Sequence, residues 1–421
     1  MKLSDIQSIN KLVTDVEVKP LRILVLCNKM PYPATDGGAI AMLNMIKGLS
    51  EQGNVVDVLA MQTEKHNFKV VDLPANLTEK ISWYSVWVDT TIRVSKLVRN
   101  LFFSSMPYNA ERFVSGDFNR KLIELLENKY DIIQLEGLYS ALYVDTIRQY
   151  SSAVISLRAH NVEWQIWDKM VKNEPSFFKR VYKRILSNRI KKFETKALQK
   201  VDLLVPITDI DAKNLPFNVK NNLFVAQAGI ESGNFVEENQ PTQPKTFFYI
   251  GALDWEPNQE ALLWFVENVW SDIKAQYPEW DFHIAGRNAP QSFVDKLCAY
   301  NIVYDGFVES AKKYISKYNV MLVPLLSGSG MRIKIVEAMA YSRCVVTTPI
   351  GAEGIDVENG KHLFIGETPN ELKQIITSII EKPSIADKVA KEAYCFANAK
   401  FSNESIVAEL NRFYNKYLRK L

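Results

Sequence analysis

Short apolar runs alternate along this chain with segments of helical periodicity. The first run, 21–28, is almost continuously apolar, which is typical of a strand buried on both faces of a parallel sheet. Similar runs predict further strands at 55–62, 131–137, 153–158, 201–208 and 223–228. Helical patterns lie between several of these runs, so the first half of the chain is predicted to form a doubly wound α/β domain.

A polar segment at 231–245 interrupts this pattern. It contains Gly233, Pro241 and Pro244 among Asn, Gln and Glu residues, a composition that is typical of an interdomain linker. The pattern then resumes, with strands predicted at 246–253, 281–286, 302–307, 320–326 and 344–348 and a helix at 258–276. We therefore expect two Rossmann-like domains with parallel sheets, at 1–235 and 245–400.

Residues 402–421 have the pattern of an amphipathic helix. Apolar residues recur every three or four positions, at Ile406, Leu410, Phe413 and Tyr417. A helix with such a face must pack against another element. Periodicity leaves open whether it packs on the second domain or returns to the first.

Composition narrows the class of protein. A chain of 421 residues with 47% hydrophobic and 24% charged residues is globular, and its net charge of +3 is not that of a dedicated nucleic-acid binder. Four widely spaced cysteines, with no Cys-x-x-Cys pair, favour neither a disulfide framework nor a zinc site. No apolar run reaches the roughly 18 residues of a membrane span. We therefore expect a cytoplasmic protein, soluble or peripheral on the inner face of the cytoplasmic membrane.

The small net charge conceals a strongly basic segment at 176–200. This segment has nine Lys or Arg residues and one acid, Glu194, so its net charge is +8 and that of the remainder is −5. Interleaved apolar residues, among them Phe177, Phe178 and Val181, fit a basic amphipathic helix on an anionic membrane. A second basic and apolar stretch lies at 91–103. The alternative is a solvated helix whose apolar stripe packs on its own domain.

The most informative stretch is a glycine-rich turn between the predicted strand 320–326 and a helix. Backbone N–H groups and the helix dipole at such a turn favour an anion. Two cations follow, which suit a diphosphate, and an acid one turn later can accept hydrogen bonds from a vicinal diol such as a ribose. The residues concerned are Gly328, Ser329, Gly330, Arg332, Lys334 and Glu337.

Two other interpretations of this stretch stay open on spacing alone. Lys334 and Glu337 could form an ordinary i,i+3 helical pair beside a tight turn. Gly328 and Gly330 could also be half of a dinucleotide fingerprint, although the third glycine position of that motif is Ile333.

Three features of the first domain lie where predicted parallel strands end. His160 follows the strand 153–158, and Glu136 lies at the end of 131–137, where open α/β sheets place ligands. Asp36, Gly37 and Gly38 follow the first strand and precede a predicted helix, so their backbone can approach an anionic ligand. A surface histidine and a plain strand-to-helix turn are the alternatives.

Asp209 and Asp211 match an Asp-x-Asp metal-binding pattern. They follow Thr208, which is placed to cap a helix, and acids are favoured in a first helical turn. We therefore interpret them as part of a helix start and expect no metal site and no cofactor.

Several motifs together resemble the group 1 retaining glycosyltransferases, glycosyltransferase family 4. The segment ending in Glu337-Ala-Met-Ala340 resembles the donor-site signature of that family, which has Glu-x7-Glu ahead of Ala-Met-Ala. The similarity also covers Asp36-Gly37-Gly38, Arg158-Ala-His160-Asn161, 251–258 and 349–354, and so most of the chain.

The resemblance implies a GT-B fold, in which an acceptor-side domain and a nucleotide-sugar domain face a cleft, and metal-independent transfer with retention. His160 would face the donor sugar, Asp36–Gly38 would meet the donor phosphate or the acceptor, and Glu136 is a candidate for acceptor contact. Gly251 and Asp254 stand in a segment where many members have a diphosphate-binding Arg and Lys. Arg332 and Lys334 are expected to take over that role. Ser329 replaces the first glutamate of the signature.

The sequence therefore predicts a hexosyltransferase-type enzyme. Its donor would be a nucleotide diphosphate sugar and its acceptor an envelope glycan or a lipid-linked glycan, with no nucleic-acid partner. Two rivals remain: a nucleotide-sugar-binding subunit of a polysaccharide assembly system that has little activity, because of Ser329, and a dinucleotide-dependent oxidoreductase.

Overall fold

The computed structural model describes residues 18–34, 36–172, 174–216, 222–227, 229–230, 243–328 and 331–421. Within these ranges the chain forms two compact units, the first drawn from Met1–Gly229 and Asn403–Leu421 and the second from Ile230–Ser402. Most of the predicted linker at 231–245 lies outside the described residues.

Twelve strands are assigned in the described residues. They are β1 (Arg22–Cys27), β2 (Val55–Gln62), β3 (Ile81–Trp87), β4 (Ile132–Glu136), β5 (Val154–Ala159), β6 (Leu203–Pro206), β7 (Thr246–Ile250), β8 (Asp281–Ala285), β9 (Val303–Gly306), β10 (Val320–Val323), β11 (Cys344–Thr347) and β12 (Phe364–Ile365).

The helices alternate with these strands. They are α1 (Gly37–Glu51), α2 (Ala75–Thr78), α3 (Val94–Phe103), α4 (Tyr108–Glu111), α5 (Gly116–Leu126), α6 (Val144–Tyr150), α7 (Glu163–Lys172), α8 (Phe177–Lys200), α9 (Asp209–Asn214), α10 (Glu256–Phe265), α11 (Ser271–Gln276), α12 (Gln291–Cys298), α13 (Ala311–Ser316), α14 (Ile333–Ala340), α15 (Pro369–Glu381), α16 (Ser384–Lys400) and α17 (Asn403–Leu418). Short 3-10 turns occur at Val70–Asp72 and Leu138–Tyr143, and a π-helical segment at Val266–Trp270.

Each unit contains one six-stranded parallel sheet. The strand orders are β3-β2-β1-β4-β5-β6 and β12-β11-β10-β7-β8-β9. Read from its other end, the second order is β9-β8-β7-β10-β11-β12, so the two sheets have the same topology. The order reverses beside β1 in one sheet and beside β7 in the other. Ligands bind open α/β sheets at such switch points, outside the carboxyl ends of the strands. The predicted pair of doubly wound parallel sheets is confirmed.

The apolar pattern of β1 follows from its position in the middle of the first sheet. Leu24 and Leu26 pack into the apolar core on one face of the sheet. Ile23, Val25 and Cys27 pack into a second core on the other face. Because both faces are covered, the strand has no polar face to alternate with the apolar one.

Several strands differ from the prediction, and some, such as β7, which ends at Ile250, are shorter than predicted. Strand β3 was not predicted, because it is an edge strand whose residues after Trp83 are only partly buried. The two-residue β12 gives too short a pattern to recognise. The predicted strand 223–228 is reduced, in its described part, to a bridge between Leu204 and Leu223. Strand β10 ends at Val323 rather than at residue 326, because Pro324 has no N–H group to extend the ladder.

The helix predicted at 258–276 begins earlier and contains the π-helical segment, so it runs through Glu256–Phe265, Val266–Trp270 and Ser271–Gln276. Helix α17 belongs to the first unit. There it packs against α1, and the ring of its Phe413 stacks on Phe224 at 5.4 Å between centroids.

Candidate active site

A buried charged cluster lies at the carboxyl ends of β4 and β5. Glu136 and Arg158 are register partners on these neighbouring strands, and neither side chain is exposed to solvent. The Arg158 Nη1 atom donates to Glu136 Oε2 at 3.3 Å and to the Ala41 carbonyl oxygen at 3.0 Å. His160, just past β5, places its Nε2 atom 2.5 Å from the same Glu136 oxygen. The structure therefore brings two residues expected from the sequence into direct contact.

The charges in this cluster fix the protonation of both groups. Burial by itself raises the pKa of Glu136, but the charge of Arg158 and the hydrogen bond from His160 outweigh burial and lower it. Burial lowers the pKa of His160, although Glu136 opposes this effect. His160 is therefore neutral around pH 7. Its Nε2–H donates to the carboxylate, which leaves Nδ1 as the basic nitrogen.

Helix α17 reaches this cluster through a chain of hydrogen bonds. The Tyr414 hydroxyl donates to Gln134 Oε1 at 2.8 Å and lies 2.9 Å from the Ser156 hydroxyl. Gln134 Nε2 in turn donates to Glu136 Oε1 at 2.5 Å. One carboxylate oxygen of Glu136 is thus held by Gln134 and the other by His160. Tyr414 orients this pair from a helix that lies far away in sequence.

Replacing Tyr414 with Phe should test this connection. The substitution removes one hydroxyl and leaves buried partners at Gln134 and Ser156, so we expect a loss of about 1–2 kcal/mol in the free energy of unfolding. Hydrogen exchange should report it as faster amide exchange in β4 and β5. The exposed Tyr150 provides the matched control, since Tyr150→Phe should change neither quantity. Equal exchange in both variants would contradict the connection.

The Asp36 loop lies at the start of α1, next to the end of β1. Asp36 is the N-cap, and its Oδ1 atom accepts from the backbone N–H of Ala39 at 2.9 Å. The same oxygen lies 2.6 Å from Lys29 Nζ. Burial raises the pKa of Asp36, but Lys29 and the cap lower it well below its usual range. The loop thus holds a fixed ion pair, and Gly37 and Gly38 form the first residues of the helix behind it.

In the second unit, Lys334 points to the carboxyl end of β7. Its Nζ atom donates to the Tyr249 hydroxyl at 2.6 Å and to Asn258 Oδ1 at 3.3 Å. Lys334 does not form the i,i+3 ion pair with Glu337 that the sequence left open, because its amino group is engaged by β7 and α10 instead. The start of α14, the end of β7 and the start of α10 thus meet around one ammonium group.

Two glycines make room for this arrangement. A Cβ atom on Gly251 would lie 2.7 Å from the Tyr249 hydroxyl and 3.0 Å from Lys334 Nζ. Gly328 has φ of +127°, and a Cβ atom there would lie 2.7 Å from an Arg332 nitrogen. Any larger residue at either position would displace a cationic group. Ser329 and Gly330 lie outside the described residues.

Burial brings the pKa values of both ionisable groups of α14 to about 7, so each is roughly half ionised at pH 7. Burial lowers the pKa of Lys334, the charge of Arg332 acts in the same direction, and together they bring it to about 7. Burial raises the pKa of Glu337 to about 7. A bound anion beside Lys334 would reverse its shift, because a nearby negative charge favours the ammonium form.

Asp254 lies in the loop after β7, where the Asn288 side-chain amide donates to its carboxylate at 3.4 Å.

Asp209 and Asp211 begin α9, and the Thr208 hydroxyl accepts from the Asp211 backbone N–H, so the predicted cap is confirmed. Within the described ranges, no group of three or more His, Cys, Asp or Glu side chains is arranged to hold a metal ion.

Sequence reasoning missed several residues that support the candidates: Lys29, Arg158, Gln134, Tyr249, Asn258 and Tyr414. Arg158 and Asn258 lie inside segments that the sequence motifs single out. A polar residue near the end of a strand, as Arg158 is, or near the start of a helix, as Asn258 is, could have been taken as a candidate site residue. Tyr249 and Tyr414 gave none, because each fits the apolar pattern of its own element.

Comparison with known proteins addresses the second unit directly. Residues 244–382 match the family model for glycosyl transferases group 1. The similarity to the group 1 glycosyltransferases therefore lies in the second unit. The chain is also 21% identical over 403 residues to an uncharacterised 44.6 kDa protein in the cps region of Klebsiella pneumoniae, covering 92% of this chain and 98% of the relative.

Solved structures extend the similarity in fold to both units of the chain. Sucrose-phosphate synthase from Thermosynechococcus elongatus gives a TM-score of 0.70 at 16% identity, covering 95% of this chain and 100% of that one. The UDP-glucose complex of Anabaena HepE gives 0.63 at 13% identity, again covering 95% and 100%. These likenesses show a GT-B fold.

Proposed function

We propose that this glycosyltransferase transfers a hexose from a nucleotide diphosphate sugar to an envelope glycan or a lipid-linked glycan, with retention at the anomeric carbon. The observation that carries the proposal is the placement of Lys334 between Tyr249 and Asn258 at the switch point of the second sheet. The HepE structure with UDP-glucose supports the donor class. The relative from a cps region supports a polysaccharide acceptor.

The donor diphosphate is assigned to the start of α14. Lys334 and Arg332 supply positive charge there, and the first turn of α14 supplies free backbone N–H groups at the positive end of the helix dipole. Glu337, one turn further along, is assigned to the ribose diol as a hydrogen-bond acceptor. Gly251 and Gly328 keep the ammonium and guanidinium groups within reach of the phosphates.

The leaving group sets the chemical requirement. Transfer breaks the bond between the anomeric carbon and the diphosphate oxygen, so negative charge develops on that oxygen. Fixed cations and N–H groups aimed at the diphosphate stabilise this charge in the transition state more than in the ground state. With Arg332 and Lys334 in this role, the proposed reaction uses no metal ion.

The first unit is assigned the acceptor side of the reaction. The buried Glu136 carboxylate holds neutral His160 in one orientation, and Arg158 balances the carboxylate charge. A histidine fixed in this way can hydrogen-bond a sugar hydroxyl through Nδ1. The Asp36–Gly38 loop is assigned to phosphate or acceptor contact, and Glu136 acts on the acceptor through His160, because its own side chain is buried.

The experiment is a donor screen followed by product analysis. Thermal shift with UDP, GDP, dTDP and their sugars should reveal one base whose diphosphate raises the melting temperature, since a ligand of the native state stabilises it. The selected donor is then incubated with glycan and lipid-linked acceptors, and the anomeric configuration of the product is read by NMR. An inverted product would overturn the assignment of retention, and binding of no nucleotide would overturn the donor site.

One alternative has a specific observation in its favour. The sequence has Ser329 where the family signature has its first glutamate, the residue that usually touches donor-sugar hydroxyls. A chain without that contact could bind nucleotide sugars as a subunit of an assembly system and turn them over slowly. Tight donor binding with neither hydrolysis nor transfer would favour this alternative.

A further inference from the structure

Two helices of the first unit present apolar side chains to solvent. On α3 the exposed residues are spaced four apart, at Val94, Val98 and Phe102, with Phe103 beside them; on α8 they are Phe177, Val181 and Ile185, with Phe178 beside them. Phe103 is 87% exposed and Phe178 is 83% exposed. Large aromatic residues at this exposure, repeated on two helices, are uncommon on a monomer that has no partner for them.

Arg189 fastens these two helices to each other. From α8, its guanidinium donates to the carbonyl oxygens of Asn100 at 3.1 Å and Leu101 at 2.7 Å, at the last turn of α3. It also donates to the Asn100 side chain at 3.2 Å. The exposed residues of α3 and α8 therefore belong to one surface, which we call the α3/α8 face.

The structure separates the two interpretations of the basic segment along the length of α8. Leu186 and Ile190 are buried in the core of the first unit, as the packed-stripe alternative requires. Phe177, Phe178 and Val181, in the first turns, are exposed instead. The exposed apolar residues of α8 thus lie in its N-terminal part, which together with α3 offers them to a partner.

The α3/α8 face is basic as well as apolar. Lys96, Lys179 and Arg184 form no ion pair with any described residue, while Lys183 and Arg99 pair with Glu174 and Glu111. Glu194, the one acid in the basic segment, is buried and accepts backbone hydrogen bonds from the start of α7. It therefore does not neutralise the exposed cations.

We propose that the α3/α8 face docks on a bilayer that contains anionic lipid. Cations around protruding aromatic side chains match phosphate headgroups above an acyl region. A second copy of the same face would meet like charge, which disfavours self-association. No helix in the described part of the chain is long and apolar enough to cross a membrane, so the attachment proposed is peripheral.

Flotation with vesicles tests the proposal directly. The full chain should rise with equimolar phosphatidylglycerol and phosphatidylcholine vesicles at low salt, remain at the bottom with phosphatidylcholine alone, and be released as salt increases. The variants Phe177→Ser/Phe178→Ser and Lys179→Ser/Arg184→Ser should each lower the bound fraction at least tenfold.

Matched controls come from exposed residues of the second unit. Phe307→Ser removes an exposed aromatic residue, and Lys388→Ser/Lys391→Ser removes two exposed cations, and neither should change flotation. Absence of flotation, equal binding to uncharged vesicles, or an effect of the controls as large as that of the test variants would overturn the proposal. A test variant that shifts a dimer to a monomer in light scattering would favour a second copy as the partner instead.

This inference goes beyond the proposed function and is tested separately from it, because flotation uses no donor. Turnover of a donor in the absence of vesicles should be equal in all of these variants and in the parent chain. Lost flotation with intact turnover is the expected result for the test variants. Flotation of a chain that binds no nucleotide would overturn the proposed function and leave the α3/α8 face in place.

Discussion

Replacement of Lys334 with methionine is expected to reduce kcat/KM for the donor by about 10²–10³-fold, the usual effect of removing one group that stabilises transition-state charge. Methionine is close to lysine in length and keeps the packing against the Tyr249 ring, whose centroid lies 4.3 Å from Lys334 Nζ. The change therefore keeps the packing and removes the charge together with the hydrogen bonds to Tyr249 and Asn258. Initial rates of donor hydrolysis or transfer measure it.

Proton uptake on binding gives the same prediction a second readout. In the free protein the pKa of Lys334 is lowered to about 7, so at pH 8 most of its amino groups are neutral. A bound diphosphate raises that pKa, so binding at pH 8 should take up close to one proton. Below pH 6 the lysine is already charged and its uptake should vanish. Calorimetry in two buffers of different ionisation enthalpy measures this uptake.

Two further variants control the experiment. Lys388→Met lowers the charge of the second unit at an exposed position on α16 and should leave both readouts unchanged. Arg332→Ala should weaken nucleotide diphosphate binding substantially, because it removes the second cation at the helix start. If Lys334→Met and Arg332→Ala both bind the nucleotide as the parent chain does, the assignment of the diphosphate to α14 is wrong.

Replacement of Glu136 with glutamine should destabilise the first unit by about 3–5 kcal/mol, because it leaves Arg158 buried without an opposing charge. Arg158 has no exposed surface with which to recover hydration. Since the chain has two units, the loss should be measured by hydrogen exchange of β1, β4 and β5, with amides of β7 and β10 as the internal control.

The pH dependence of this loss has a definite sign. The pKa of Glu136 is lowered in the folded protein from its ordinary value of 4.5, so the carboxylate stabilises the fold above that value. As pH falls through the folded pKa, this contribution is lost, and the difference between the parent chain and Glu136→Gln should shrink.

A double substitution separates the lost ion pair from other effects of the change. Glu136→Gln/Arg158→Met removes both charges, so it should recover part of the stability lost in Glu136→Gln alone. If the single variant exchanges its β4 and β5 amides at the parent rate, the pair does not stabilise the unit. If the double variant is even less stable than Glu136→Gln, the buried charge of Arg158 is not the cause of the lost stability.

The central strands could be predicted from sequence because each is buried, and a buried strand shows its environment in its own run of apolar residues. Strand β1 is apolar throughout, since it is covered on both faces, and β2 matches its predicted bounds of 55–62. Strand β3 could not be recognised, because partial exposure at the sheet edge mixes polar and apolar residues without a period. The end of β10 was recoverable from Pro324.

The candidate site was predictable only where one short segment contains its chemistry. The segment 328–337 contains two cations and an acid at a predicted helix start, and the structure places Lys334 at that start. The partners of Lys334 could not be predicted, because Tyr249 lies 85 residues away in sequence. Tyr414 lies 280 residues from Gln134, and only the tertiary fold joins them.

The return of α17 to the first unit has a consequence for the order in which the protein can fold during synthesis. The polypeptide leaves the first unit after Gly229, supplies the whole of Ile230–Ser402, and comes back at Asn403. The second unit is therefore finished before the first, although its synthesis starts later. Until Tyr414 leaves the ribosome, Gln134 and Ser156 lack their shared partner, so the hydrogen bonds that support the Glu136 and His160 cluster are completed only after the second unit has been synthesised.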